Sequence, residues 1–254
     1  MTSELEIRKA MCDVGRRMYE KNLVAATDGN ISVKLGPDRF LCTPSGVSKG
    51  FMAPNEMVLA DSKGNKLGGD GRVTTEFFTH LAVYEEREDV GAVVHAHPPR
   101  AIGFTLAGRS LSSCVLPEVV MALGGIPTTE YATPASKEGS IVIREYIRNC
   151  DAVLMDRHGA VTAGRDVYDA YYKMEKLEHA AETLLTASLL GEIRTLEAEE
   201  VHKLFEARKT YGVSGKAYKC NIDGCADPEE AEKKAQDPVL DKIVAETLRA
   251  LGRS

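Results

Sequence analysis

The chain has 254 residues, 43% of them hydrophobic and 28% charged, a balance that fits an ordinary globular protein and sets aside fibrous and disordered classes. A net charge of −6 and a pI near 5.6 argue against broad binding to nucleic acid or an anionic membrane, which needs a clustered basic surface. No apolar run reaches the length of a bilayer span and no basic, apolar, small-residue leader pattern is seen, so a cytoplasmic protein with a small-molecule partner is expected.

Residues 4–21 place Ile7, Met11, Val14 and Met18 at helical spacing, which predicts an amphipathic helix. A polar turn of Asp28, Gly29 and Asn30 then feeds an alternating strand. Such a turn can present N–H groups and an amide to an anion, and it is equally an ordinary strand entry. Residues 40–43 read as the next strand and run into the small-residue turn Pro44, Ser45 and Gly46; residues 57–61 with the turn after them extend a β-meander, consistent with an antiparallel sheet. Thr74 or Thr75 caps a helix reaching about residue 87, with Phe77, Phe78, Leu81, Ala82 and Tyr84 on its apolar side. Glu76 falls in its first turn, where the helix dipole by itself favours a carboxylate.

The apolar run Val93, Val94, His95, Ala96 and His97 follows. Two histidines one residue apart share a strand face, either as plain strand-end imidazoles or as half of a metal site. A catalytic zinc takes three protein ligands. Of the other histidines, His80, His179 and His202 lie inside helical patterns, whereas His158 ends the buried strand at 150–157 and precedes Gly159, a turn signal. His158 is therefore the best third ligand. Short helical pieces are expected at 101–106 and 117–125. A helix opens at 133–138 and runs to about 149, and the longest spans about 167–190 with Tyr171, Met174, Leu177, Leu184 and Leu185 buried. Another helix is expected at 197–209, and the charged remainder ends in an amphipathic segment at 238–251. Cys12, Cys42, Cys114 and Cys150 read as small apolar residues in a reducing compartment, while the spacing of Cys220 and Cys225 could suit a metal or a redox pair.

A divalent metal on three neutral imidazoles, beside a carboxylate from a helix start, suits chemistry next to a carbonyl: the metal polarises the oxygen and the carboxylate moves a proton. The turns at Gly29 and Asn30, at Ser45 and Gly46, and at Thr74 and Thr75 offer hydroxyl and N–H donors without bulk, which suits a phosphate.

Over roughly residues 5–212 the chain resembles the class II aldolase/adducin family, which includes L-fuculose-1-phosphate aldolase and L-ribulose-5-phosphate 4-epimerase. The residues that carry the resemblance are His95 with His97, His158 with Gly159, Glu76 after Thr74 and Thr75, the two small turns, and Tyr211 in the string Lys209, Thr210, Tyr211 and Gly212. The resemblance implies zinc on His95, His97 and His158, with manganese or cobalt suiting the same donors. It implies Glu76 as the proton-moving group, a phosphate held by Gly29, Asn30, Ser45, Gly46, Thr74 and Thr75, and Tyr211 acting on the aldehyde in a neighbouring subunit's site. The expected fold is three-layer α/β/α, a central mostly antiparallel sheet flanked by helices, assembled as a homotetramer with active sites at subunit interfaces. The expected reaction is zinc-dependent cleavage of a ketose 1-phosphate, of the fuculose or 5-deoxypentulose type, to dihydroxyacetone phosphate and a small aldehyde.

The chain departs from the aldolase pattern at Glu118, where the aldolase has a second tyrosine. Carboxylates near this place act as acid or base in the family's epimerases and dehydratases, so Glu118 is a candidate second acid/base group. The epimerases carry Asp at the position of Glu76, which favours aldol cleavage. The alternatives are an epimerase, dehydratase or decarboxylase on the same metal site, or a non-catalytic assembly module like the adducin head, which would have no need of the three histidines and the glutamate. The expected division is a catalytic domain at 1–212 and a helical extension at 213–254 docked on its own or a neighbouring subunit.

Overall fold

Side chains alternate along a strand, and this sorts the apolar residues of the chain onto two faces of one sheet. In the computed structural model, which describes residues 3–219, seven strands pair: β1 (Asn30–Gly36), β2 (Arg39–Cys42), β3 (Val58–Ala60), β4 (Lys66–Gly68), β5 (Ala92–Ala96), β6 (Ala152–Met155) and β7 (Gly159–Gly164). Their spatial order is β4, β3, β2, β1, β5, β7, β6, and every pairing is antiparallel. The expected meander supplies β1 to β3, the turn after it leads into the short β4, and β5 lies against the free edge of β1.

On β5, Ala92, Val94 and Ala96 belong to one apolar core and Val93 to the other; on β6, Ala152 and Leu154 are separated from Val153 and Met155 in the same way. Helices α1 (Glu4–Glu20), α3 (Pro99–Leu106), α4 (Pro117–Ala122) and α6 (Val167–Leu190) cover the first face, while α2 (Phe77–Glu86) and α5 (Lys137–Ile147) cover the second. Helix α7 (Ala198–Thr210) packs on α4. Each fully buried aliphatic side chain is worth about 1.5–3 kcal/mol over an exposed one, so this alternation is what binds helices to both faces. The architecture is the three-layer arrangement expected, with helices on both sides of a mostly antiparallel sheet.

Helix starts follow their capping residues. Ser3 and Glu6 form a capping box on α1, Ser136 accepts two backbone N–H bonds at α5, and Asp166 does so at α6. Three expectations need correction. Helix α2 begins at Phe77, so Glu76 is its N-cap residue rather than part of its first turn. Phe78 and Leu185, expected inside, are 51% and 43% exposed. Strand β7 was not anticipated: Gly159 is its first residue and not a turn, and the reversal lies just before it, where Arg157 takes φ 57°.

Cys42 and Cys150 are buried free thiols and Cys12 a half-buried one, as read; Cys114 differs in being disulfide-bonded. The described residues fall within one compact unit, Met1–Cys220, and Tyr218 bridges to Gly124 and Gly125 after α4. The expectations for Cys220, Cys225 and the segment at 238–251 lie outside the described residues. Among the described residues no helix is long and apolar enough to cross a membrane.

Candidate metal centre

Strands β1, β5 and β7 are neighbours, and their register brings the histidines together. Asn30 stands opposite His95, and Ala96 stands opposite Ala160. Met155 pairs with Gly159, so His158 closes the short connection from β6 to β7. The three rings of His95, His97 and His158 have centroids 4.9 to 5.2 Å apart. Gly159 makes that closeness feasible: a Cβ there would lie 2.4 Å from Ala96 O, 2.9 Å from His97 Cδ2 and 3.0 Å from His95 Cε1.

His95 is buried, and its Nδ1 faces Ala160 O at 2.9 Å. A carbonyl only accepts, so Nδ1 carries a proton and Nε2 is turned to the cluster, the arrangement that fixes an imidazole for ligation. Glu76 enters from the start of α2, with Oε2 3.3 Å from His95 Nε2 and Oε1 3.1 Å from His158 Nε2. Asn30 Nδ2 donates to Glu76 Oε2 at 2.8 Å, and His97 Nε2 lies 3.2 Å from His95 Nε2. The potential ligand atoms of Glu76, His95, His97 and His158 all lie within 4.8 Å of one another.

The electrostatics follow from this crowding. Burial works against ionising Glu76, but the imidazoles of His95 and His158 outweigh it and hold the carboxyl well below the usual carboxylate range. Burial likewise disfavours a charged His95, and Glu76 overrides it, so the imidazole is raised above its ordinary value. His97, desolvated and facing the other two rings, is pushed down to about 4 and is neutral near pH 7. Three imidazole nitrogens and a carboxylate aimed at one point are a donor set that a divalent cation satisfies, and the residues present fit such an ion.

The other predicted site residues are placed as follows. Gly29, at φ +70°, packs against β5, where a Cβ would come within 2.9 Å of His95 O. Thr74 Oγ1 accepts from Glu76 N at 3.4 Å, and Thr75 is exposed. Ser45 N donates to Arg72 O at 3.0 Å, which ties the turn of Ser45 and Gly46 to the segment leading into Thr74. Glu118 is exposed in the first turn of α4 and Tyr211 is 75% exposed at the end of α7; neither belongs to the cluster.

Sequence reasoning gave no site role to three polar residues nearby. Asp28 Oδ2 is 3.6 Å from His97 Nδ1, and its place directly before Gly29 was the available signal. His80 is buried with Nδ1 2.7 Å from Ser32 Oγ. Lys49 is also buried, and no periodicity singles it out.

Comparison with known proteins agrees with this geometry. The family described as Class II Aldolase and Adducin N-terminal domain matches residues 9–185. A 5-methylthioribulose-1-phosphate/5-deoxyribulose-1-phosphate aldolase of Rhodospirillum rubrum is 30% identical over 210 residues, covering 83% of this chain and 94% of its own. A 3-oxo-tetronate 4-phosphate decarboxylase of Haemophilus influenzae is 31% identical over 207 residues, covering 80% of this chain and 97% of its own. Among solved structures, an L-fuculose 1-phosphate aldolase of 26% identity aligns with a TM-score of 0.75 over 82% of this chain and 98% of its own.

Proposed function

The chain belongs to the Class II Aldolase and Adducin family, and from that premise we propose that it is a zinc-dependent aldolase cleaving a ketose 1-phosphate, of the fuculose or 5-deoxypentulose type, reversibly to dihydroxyacetone phosphate and a small aldehyde. The observation that carries this reading is the meeting of Glu76 with three imidazole nitrogens within 4.8 Å.

His95, His97 and His158 would hold the ion, which when bound supplies Lewis acidity toward the carbonyl oxygen of the substrate. Glu76 is ionised and held by Asn30 Nδ2, so in the synthetic direction it serves as the base that takes a proton from the carbon beside the carbonyl. That carbon bonds to the aldehyde carbon, and the aldehyde oxygen takes a proton from Tyr211 or Glu118; cleavage is the reverse. Gly29, Asn30, Ser45, Gly46, Thr74 and Thr75 bind the phosphate through N–H and hydroxyl donors, which needs small residues. Tyr211 and Glu118 are both exposed, as a homotetramer with sites at its interfaces would require. The domain assignment at 1–212, with an extension at 213–254, belongs to the same reading.

The test is a coupled assay of dihydroxyacetone phosphate with acetaldehyde, glycolaldehyde or lactaldehyde, with and without chelator. Chelator-sensitive consumption of both substrates is expected. Glu76→Gln should keep its metal and lose roughly 10²–10⁴-fold in kcat, as loss of a general base does; unchanged turnover would remove Glu76 from this role. A second reading, decarboxylation of a 3-oxo acid phosphate, is favoured by the decarboxylase relative, which matches nearly as much of the chain as the aldolase does. Release of carbon dioxide without aldol turnover would establish it, with Glu118 the next residue to replace.

A further inference from the structure

Lys49 lies in a loop, yet it is only 2% exposed. It opens a single 3-10 turn, Lys49–Phe51, whose first carbonyl is packed on α1: a Cβ on Gly15 would sit 2.4 Å from Lys49 O. The side chain turns inward, and Nζ donates to Thr27 O at 2.8 Å and to Val47 O at 2.5 Å. Thr27 lies two residues before Gly29, and Val47 directly follows Gly46. One ammonium thus joins two of the three small turns assigned to the phosphate.

Burying an ammonium is costly, and two carbonyls offset only part of that cost. Desolvation accordingly pushes Lys49 down to about 8, against the nearby carboxylates of Asp28 and Glu76. A neutral donor could tie the same carbonyls at lower cost, so the charge itself calls for an explanation. Ser48 Oγ, directly after Val47, is also buried without a hydrogen-bond partner, and a hydroxyl can donate to an anion.

We propose that Lys49 is a positioning residue for the substrate's phosphate, tying the turn at 27–30 to the turn at 45–47 and holding a fixed positive charge behind the anion site they form. This rests on the reading that these turns bind phosphate. The test titrates inorganic phosphate into the zinc-loaded full chain by calorimetry, for wild type, Lys49→Met, Lys49→Gln and Lys49→Arg, alongside KM and kcat for dihydroxyacetone phosphate. Lys49→Gln keeps two N–H donors without the charge and so separates the tie from the field.

The phosphate Kd and the KM should rise at least about tenfold in the Met and Gln variants, as loss of a charged hydrogen-bonding group does, with kcat and bound zinc little changed and Lys49→Arg recovering binding. A folded Met or Gln variant that binds phosphate within about twofold of wild type, far less than a charged hydrogen bond is worth, overturns the proposal. If Lys49→Met does not fold, the contrast between Gln and Arg decides. Wild type that binds no phosphate overturns both the phosphate reading and this proposal; wild type that binds phosphate without aldol turnover overturns the aldolase reading alone, and the Kd values still judge Lys49.

Discussion

Helix α2 has Glu76 at its N-terminus and Arg87 just past its end, and strand β6 has Asp151 before it and His158 beyond it, so these two elements carry a buried polar cluster at each end. At the Arg87 end cations face carboxylates. Arg87 bonds to both carboxylate oxygens of Asp89, to Asp151 Oδ1 at 2.8 Å and to the carbonyls of Ile147 and Cys150. Lys173 Nζ completes it, 2.7 Å from Asp151 Oδ2, 2.9 Å from Ala163 O and 3.1 Å from Asp169 Oδ2. At the Glu76 end, lone pairs converge, and His158 Nδ1 and Asn30 Oδ1 have no partner. At the Arg87 end the charges are matched within the cluster and serve stability; at the Glu76 end a carboxylate and three imidazoles aimed at one point form a donor set for a cation.

His95→Ala breaks the open cluster most severely. Removing one of the three imidazoles that would hold the ion should abolish bound zinc by elemental analysis and with it all measurable turnover; equal zinc in variant and wild type would refute the ligand set. Arg87→Met acts on the closed cluster and should cost about 3–5 kcal/mol in urea denaturation by leaving Asp151 and Asp89 short of their partner, while zinc per folded chain stays as it was. A matched loss of zinc would mean that the two ends are not independent.

His80 gives a smaller, pH-dependent contrast. It is fully buried, and desolvation, reinforced by His95, pushes it down to about 3. A histidine lowered in the folded state contributes stability that is fully present above its unfolded value of about 6.5 and is lost as pH falls below it. Stability should therefore drop by roughly 1.4 kcal/mol per pH unit on this account as acid is added, and the denaturation midpoints of His80→Leu should follow a slope shallower by one proton. An unchanged slope would assign the acid response to other groups. The smallest effect is expected from Asp28→Asn. Its carboxylate touches the cluster only from outside, 3.6 Å from His97 Nδ1, so zinc affinity in a chelator competition should fall about tenfold or less. A loss of several hundredfold would make Asp28 a ligand.

Much of the scaffold was legible because its causes are local. The spacing of Ile7, Met11, Val14 and Met18, the apolar spacing along 167–190 and the alternation through Val93, Val94 and His95 depend only on helical and strand periods, and the elements lie where those periods put them. His95 and His97 were a legible pair for the same reason. Strand β7 was hidden by the small residues Gly159, Ala160, Ala163 and Gly164, whose use is to let imidazoles and helix α6 approach closely, and nothing within the strand announces that need.

The turns at Gly29, Ser45 and Thr74 were assigned through family resemblance, since each alone is an ordinary turn. By itself the sequence determined most of the elements, most of their apolar faces and the candidate donors, because period and capping act over a few residues. Only the tertiary structure decided that Asn30 stands opposite His95, that Glu76 lies between His95 and His158, that Leu185 and Phe78 face solvent and that Lys49 is buried between two loops. Each depends on register and packing between segments tens of residues apart, where the cost of burying a charge or the room beside a glycine is set by neighbours that the local sequence does not contain.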